Sequence, residues 1–325
     1  MAMLTIPSNE NGTVYDPTLN DVIVTAISSS PFGFEDVFLY SHGWSTDADR
    51  ALVDYDVFSI GLMRRILQEP QKPPLPPRST LEMGVHWPSE ITEDPNSPLN
   101  ALQLATFFQM EQRADAVGQN LVYSMLRLAL QAQHAPNLRF CLLGHSFGCK
   151  VICAALQDLQ TDIAGGTIVV PPGTTWKVIL LEPATDWDNL EESDIYGNVG
   201  KIVDLRLLMT KSGLDQCLTK WYPDASRIAN FFHGAQPTPA LGAQGPTPAT
   251  VTYFGGAADL SVDVGFAMSA AAAESNPKLV VADLTPVHTA RAQSQPPAYD
   301  GGICGSHSDI FFDEIYNLVA GFAYS

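Results

Sequence analysis

The sequence predicts an α/β fold with a mostly parallel central sheet flanked by helices. Apolar runs of strand length alternate with segments of helical periodicity, which is the pattern of repeated βαβ units. No repeat of fixed period is present, so a solenoid or a propeller is disfavoured. The chain has 325 residues, of which 46% are hydrophobic and 16% charged, and this composition is typical of a globular protein with a large core. We therefore expect a single domain over residues 1–325.

The expected strands are short apolar runs, most of them followed by a turn rich in Ser, Gly, Pro or Asp. In chain order they cover residues 22–26, 37–40, 81–86, 140–143, 176–181, 202–209 and 278–284. A proline-rich loop, "EPQKPPLPPRS", precedes the third of them.

The clearest helix is expected between residues 98 and 133, where Ser97 and Pro98 supply an N-cap and a first-turn proline. Gly118 is a point at which this helix could divide into two pieces. A second helix should follow Ser146, and a closing helix should span 310–322. In the first helix, apolar residues recur every three or four positions and should form one buried stripe. They are Phe107, Met110, Ala114, Val117, Leu121, Met125 and Leu128.

The section from about 221 to 273 is rich in Pro, Gly and Ala and has weak periodicity. Long segments of this kind are usually functional lids or linkers. We expect a cap or lid insertion here, within the single domain and not as a second one.

Charge and apolar patterning exclude several classes of partner. The chain carries 35 acidic and 17 basic residues, a formal charge of −18, and shows no basic patch, which disfavours nucleic acid and anionic membrane surfaces. No apolar window approaches the length of a membrane span. The first 16 residues do not resemble a secretory signal, so we expect a cytoplasmic protein.

Cysteine spacing gives no sign of a disulfide framework or a zinc knuckle. The five cysteines, an odd number, contain no CxxC pair. We expect small buried thiols in a reducing compartment. They are Cys141, Cys149, Cys153, Cys217 and Cys304.

The most informative segment is "GHSFG" at 144–148, which follows a predicted strand and precedes a predicted helix. In this context G-x-S-x-G indicates a nucleophilic serine, because a tight turn projects the hydroxyl above the sheet and the helix N-terminus favours negative charge beside it. The alternative is that Ser146 is an ordinary helix N-cap.

A nucleophilic serine needs a base, and the base needs an orienting acid. Asp215 follows the strand at 202–209, and His307 lies in "GSHSD" between the last strand and the last helix. We expect these two as acid and base. The alternatives are His288 as the base and Asp186 as the acid; Asp204 and Asp259 rank lower.

Acyl transfer also needs hydrogen-bond donors for the developing oxyanion. The backbone N–H of Phe147, directly after the serine, is one expected donor. The other is the N–H of Trp44 in "SHGW", where Gly43 lets the chain turn toward the serine. The alternative is a glycine turn that only ends a strand.

These motifs resemble the serine-hydrolase branch of the α/β-hydrolase superfamily. The resemblance rests on "SHGW", "GHSFG", the aspartate of "KSGLDQ" and the histidine of "GSHSDIF", and "VHWPSE" is similar to the Trp-Pro-Ser segment of an esterase/lipase-like group. It extends from residue 22 to 322, apart from 221–273. It implies an α/β-hydrolase fold, a Ser146–His307–Asp215 triad and an oxyanion hole at Trp44 and Phe147.

The leading hypothesis is a serine esterase that acts on a small-molecule or lipid-like ester. The alternatives are an amidase, a peptidase or an acyltransferase with the same triad, and a non-catalytic binding protein on the same scaffold. No metal or other cofactor is expected, since the chain has no HExxH motif, phosphate loop or dinucleotide fingerprint.

Overall fold

The computed structural model describes residues 3–14, 18, 35–44, 46–68, 80–89, 101–131, 137–233, 238–262, 277–294 and 304–323. The described strands form one eight-stranded sheet in the order β1-β3-β2-β4-β5-β6-β8-β7, and every neighbouring pair is parallel. The α/β fold expected from the sequence is confirmed, and it is consistent with an α/β-hydrolase. The strands are β1 (Leu4–Pro7), β2 (Asp36–Ser41), β3 (Thr80–His86), β4 (Arg139–His145), β5 (Thr175–Leu181), β6 (Leu205–Lys211), β7 (Ala257–Ser261) and β8 (Leu279–Asp283).

The described helices lie between and after these strands along the chain. They are α1 (Ala48–Gln68), α2 (Ala101–Val117), α3 (Tyr123–Gln131), α4 (Gly148–Ala164), α5 (Tyr222–His233), α6 (Leu241–Gln244), α7 (Pro248–Tyr253), α8 (Thr285–Ser294) and α9 (Asp313–Ala323). A π-helical turn, Gly118–Val122, joins α2 to α3, so the long helix changes its winding at the glycine that the sequence singled out.

Several boundaries differ from those expected. β6 begins at Leu205, because residues 202–204 form a turn in which Asp204 has a φ of 56°. α9 begins at Asp313, three residues later than predicted. The expected strand at 22–26, the proline-rich loop at 69–79 and the N-cap at Ser97 and Pro98 lie outside the described residues.

Some elements were not expected at all. These are β1, α1, the edge strand β7 and helix α8, the last of which occupies part of a predicted loop. The section 221–273 contains α5, α6, α7 and β7. Its role as a cap stays a prediction.

The core has two layers, one on each face of the sheet. Alternate residues of β4 point to opposite faces: Phe140 and Leu142 join one apolar cluster, and Cys141 and Leu143 join the other. The first cluster includes residues of α2, α3 and α4, and the second includes residues of α1 and α9. Burial on both faces explains why the strands read as continuous apolar runs.

This arrangement places the predicted site residues at one edge. In a parallel sheet, the residues that follow the strands meet at the carboxyl ends. Ser146 follows β4, Glu182 follows β5 and Asp215 lies four residues beyond β6.

Among the residues that the structure describes, no helix has both the length and the apolar character needed to cross a membrane.

Candidate active site

Ser146 occupies a strained turn between β4 and α4. Its φ is 55°, in the left-handed region that a residue other than glycine enters at a cost of ~1–3 kcal/mol. Hydrogen bonds to neighbouring segments hold it there: its N–H donates to the Leu181 carbonyl at 3.0 Å, and its own carbonyl accepts from Cys149 at 3.1 Å and Ala184 at 3.3 Å. The hydroxyl makes no N-cap bond for α4, because it pairs with His307 instead.

The glycines around Ser146 allow backbone segments to approach each other closely. A Cβ on Gly148 would lie 2.1 Å from the Ser41 carbonyl oxygen, and a Cβ on Gly144 would lie 2.5 Å from the Gly148 carbonyl oxygen. A Cβ on Gly43 would lie 2.7 Å from the Cβ of Ser146. The "SHGW" and "GHSFG" segments are therefore in direct backbone contact.

We expect Gly43→Ala to lower kcat/KM for an ester by about 10²-fold, because a methyl group pressed against Ser146 displaces the hydroxyl from its hydrogen bond. Steady-state kinetics measure this loss. The matched control is Gly213→Ala, since the nearest atom to a Cβ there is the Thr285 Oγ1 at 3.9 Å. Equal activity of the two variants would contradict the close approach at Gly43.

His307 bridges Ser146 and Asp215 through its two ring nitrogens. Its Nδ1 lies 2.6 Å from the Asp215 Oδ2, and its Nε2 lies 2.8 Å from the Ser146 Oγ. A carboxylate oxygen can only accept, so Nδ1 carries the proton and donates it. Nε2 is then unprotonated and accepts from the Ser146 hydroxyl. This is the protonation pattern in which an imidazole can remove a serine proton.

The Asp215 carboxylate is completely buried and is oriented by a second bond. Its Oδ1 accepts from the N–H of Leu218 at 2.9 Å, and its backbone forms an isolated antiparallel bridge with Gly305. Gly305 has a φ of 64°, and a Cβ there would lie 2.8 Å from the Leu214 carbonyl oxygen. The loops that carry Asp215 and His307 thus run side by side.

A disulfide joins these two loops: Cys217, two residues after Asp215, is bonded to Cys304, three residues before His307. The expectation of five free thiols is wrong for this pair, whereas Cys141, Cys149 and Cys153 are free and buried. No spacing rule pairs cysteines that lie 87 residues apart, because only the fold brings them together.

The alternative base and acid make other contacts. His288 lies in α8, and its Nδ1 is 2.8 Å from the Ser212 Oγ. Asp186 accepts a hydrogen bond from the Tyr222 hydroxyl at 3.0 Å. Burial raises the pKa of Asp186 to about 6. Asp204 directly precedes β6, at the other end of the sheet from Ser146.

The two expected oxyanion donors belong to the segments that meet at Ser146. Phe147 directly follows the serine, and its ring is buried; Trp44 directly follows Gly43, and its ring is partly buried. The centroids of the two rings lie 6.1 Å apart, and both rings pack against Phe107. Their role as donors stays a prediction.

His42 connects "SHGW" to "VHWPSE". Its Nδ1 donates to the Gly43 carbonyl at 2.8 Å, and its Nε2 accepts from the N–H of Trp87 at 3.2 Å. The rings of His42 and Trp87 stack with centroids 5.4 Å apart. The network uses the neutral imidazole, and burial accordingly lowers the pKa of His42 to about 3.

This buried histidine should make the fold sensitive to acid. Below the ordinary pKa of 6.5 the unfolded chain takes up a proton at His42, whereas the folded chain resists until about 3, so stability falls as pH falls through this window. Between pH 7.5 and pH 5, His42 alone should account for about 2 kcal/mol of lost unfolding free energy. Urea unfolding at the two pH values measures the loss.

The matched variant is His42→Asn, whose side-chain amide keeps a donor for the Gly43 carbonyl. Its unfolding free energy should change less between the two pH values than that of the parent, by about 2 kcal/mol. An identical pH dependence in the two proteins would show that His42 titrates normally in the folded state.

The described residues include one group whose atoms are close enough to hold a metal ion. A nitrogen of His145, a nitrogen of His307 and a carboxylate oxygen of Glu182 lie within 4.8 Å of one another. Both nitrogens of His307 are already bonded to Ser146 and Asp215, and the Nε2 of His145 donates to the His307 carbonyl at 2.8 Å. An ion here would have to displace these contacts.

The sequence predicted the residues that the structure brings together, but it did not predict several of their neighbours. The missed residues are Glu182, the disulfide pair, and His145 as a donor to the His307 backbone. The signal for His145 was its place inside "GHSFG".

Comparison with the models of known protein families finds no match to this chain, and comparison with curated proteins finds none either.

Proposed function

We propose that this protein is a serine hydrolase that cleaves carboxylic esters through an acyl-enzyme on Ser146. One observation carries the proposal: a continuous hydrogen-bond chain runs from the Asp215 Oδ2 through His307 to the Ser146 Oγ, with contacts of 2.6 and 2.8 Å. The chain ends on a serine held at a φ of 55° by its neighbours. Strain of this kind concentrates at functional sites.

The reaction runs in two halves. In the first, the Ser146 oxygen attacks the ester carbonyl while His307 Nε2 takes the hydroxyl proton; the tetrahedral adduct collapses, the C–O bond breaks, and the alcohol leaves with that proton. In the second, His307 removes a proton from water, the hydroxide attacks the acyl carbon, and Ser146 regains its proton as the acid departs. Asp215 orients the ring and stabilises the imidazolium formed in each half.

The oxyanion is assigned to the backbone N–H groups of Trp44 and Phe147. Support comes from the close approach of Gly43 to Ser146 and from the start of α4 at Gly148, directly behind the serine. Each donor of this kind lowers the activation barrier by on the order of 3 kcal/mol.

The rings near Ser146 favour an apolar acyl or alkyl group. Trp44 is partly buried and lies beside Phe107 and Phe147, and the ring of Phe107 also packs against Tyr222 at 5.2 Å. A small-molecule or lipid-like ester fits such an aromatic wall. Products formed in the presence of added amines or alcohols distinguish hydrolysis from acyl transfer, and amide substrates test for amidase activity.

The test of the proposal is labelling by a fluorophosphonate probe, which bonds covalently to an activated serine. We expect one equivalent of probe on Ser146, located by mass spectrometry, together with turnover of a p-nitrophenyl ester. Folded protein that neither takes up the probe nor turns over the ester would favour a non-catalytic binding protein.

The location in the cell is a separate proposal. The cytoplasmic location expected from the sequence stays a prediction. The Cys217–Cys304 bond favours a different location, an oxidising compartment, because disulfides are rare where thiols are kept reduced.

A further inference from the structure

Glu182 is a buried carboxyl that the proposed reaction does not use. It directly follows β5, and its side chain has no exposed surface. Neither carboxylate oxygen has a hydrogen-bond partner among the described residues. One of these oxygens lies within 4.8 Å of a nitrogen of His307, so the carboxyl stands beside the base of the triad.

The backbone of Glu182 is also strained. Its φ is 45°, which places two left-handed residues other than glycine, Ser146 and Glu182, at the ends of neighbouring strands β4 and β5. The N–H of Glu182 donates to the Thr210 Oγ1 at 2.8 Å, and a Cβ on Gly242 would lie 2.6 Å from the Glu182 carbonyl carbon. The surrounding segments therefore hold the residue in this conformation.

A carboxyl in this position costs stability. Burying a polar group without a hydrogen bond is unfavourable, and an apolar side chain of the same size would avoid the cost. Burial, followed by the charges of Asp215 and Asp309, raises the pKa of the Glu182 carboxyl well above its usual value. Burial therefore favours the neutral form of Glu182, which stands beside an Asp215 that already accepts from His307.

The other groups facing Glu182 do not supply a compensating charge. The Nδ1 of His288 lies 3.7 Å from its Oε1, but the pKa of His288 is lowered to about 4 by burial, so this ring is neutral. Burial also lowers the pKa of His145 to about 3 and raises that of the Cys149 thiol, so both are uncharged. The positive charge that would favour an ionised Glu182 is the imidazolium that forms on His307.

We propose that Glu182 is a positioning residue of the active site, a second carboxyl that supports the His307 imidazolium and takes over the anionic role when Asp215 is neutralised. This inference rests on the proposed hydrolase function. The observation that carries it is an unpartnered, fully buried carboxyl within 4.8 Å of the base, on a strained residue that directly follows β5, the neighbour of the strand that precedes Ser146.

The test is a double-mutant cycle between Asp215→Asn and Glu182→Gln, with kcat/KM for a p-nitrophenyl ester as the readout. Loss of the acid from a triad with no second carboxyl costs ~10⁴-fold. We expect Asp215→Asn to cost only about 10²-fold, and Glu182→Gln to remove at least about tenfold more in that background than it removes when Asp215 is present.

The pH profile separates this role from a merely structural one. In Asp215→Asn the remaining activity should increase as pH rises, because burial raises the pKa of the Glu182 carboxyl above its usual value and delays formation of the anion, and Glu182→Gln should abolish the increase. The matched control is Asp186→Asn, whose carboxyl contacts Tyr222; combined with Asp215→Asn, it should leave the increase in place. Glu182→Met, of similar volume, replaces Glu182→Gln if the latter does not fold.

Additive losses, or a pH increase that survives the substitution of Glu182, would overturn the inference. Its failure is distinguishable from failure of the proposed function. An active parent protein that is inactivated by Ser146→Ala establishes the hydrolase whatever Glu182 does. An inactive parent protein overturns both.

Discussion

Ser146→Ala is expected to lower kcat for a p-nitrophenyl ester by ~10³-fold or more, as the loss of a lone nucleophile does. The physical reason is the geometry at His307, whose Nε2 lies 2.8 Å from the Ser146 Oγ. Without the hydroxyl no covalent intermediate can form, and the expected oxyanion donors alone would supply only a small residual rate. Steady-state rates and fluorophosphonate labelling measure the effect, and the variant should take up no probe.

The matched control is Ser41→Ala. The Ser41 side chain is buried beside the same loops, and its hydroxyl has no partner among the residues that the structure describes. This variant should keep both turnover and labelling. If Ser146→Ala kept more than a tenth of the parent activity, Ser146 would not be the nucleophile and the proposed function would be wrong.

Loss of the Cys217–Cys304 bond is expected to reduce the free energy of unfolding by ~2–4 kcal/mol, the usual effect of removing a native disulfide. We also expect kcat/KM to fall by about tenfold, because Asp215 and His307 lie two and three residues outside the bonded cysteines and share its restraint. Urea unfolding and ester turnover, with and without a phosphine reductant, measure the two effects.

Two variants make this measurement specific. Cys217→Ser/Cys304→Ser should behave like the reduced parent and be insensitive to the reductant. Cys153→Ala keeps the bond and removes a buried free thiol, so it should remain sensitive. Under denaturing conditions the parent should expose three reactive thiols before reduction and five after it. Five before reduction would contradict the bond.

The fold was predictable because both faces of the sheet are covered. Burial on two sides makes β4 and β5 continuous apolar runs, and the turn residues after them mark their ends. Helix α1 was not predicted, because its exposed side also carries apolar residues and the sequence therefore shows no clear alternation between a buried and an exposed face. They are Leu52, Val53, Val57, Ile60, Met63 and Leu67.

The site was predictable where the chemistry is local. "GHSFG" specifies a turn within five residues, and Asp215 and His307 follow from the order of the strands. Glu182 was not predictable, since a glutamate after a strand is ordinarily a solvated end. Only the packing of neighbouring loops over it makes it a buried neighbour of His307.

The disulfide also changes how the chain can vary in evolution. Asp215 and His307 are 92 residues apart along the backbone, but the bond shortens the covalent path to two residues on one side and three on the other. The segment between Cys217 and Cys304, which includes α5 to α8, β7 and β8, belongs to a closed ring outside that path. Insertions or deletions in the ring can therefore reshape the surroundings of the candidate site while Asp215 and His307 keep their spacing.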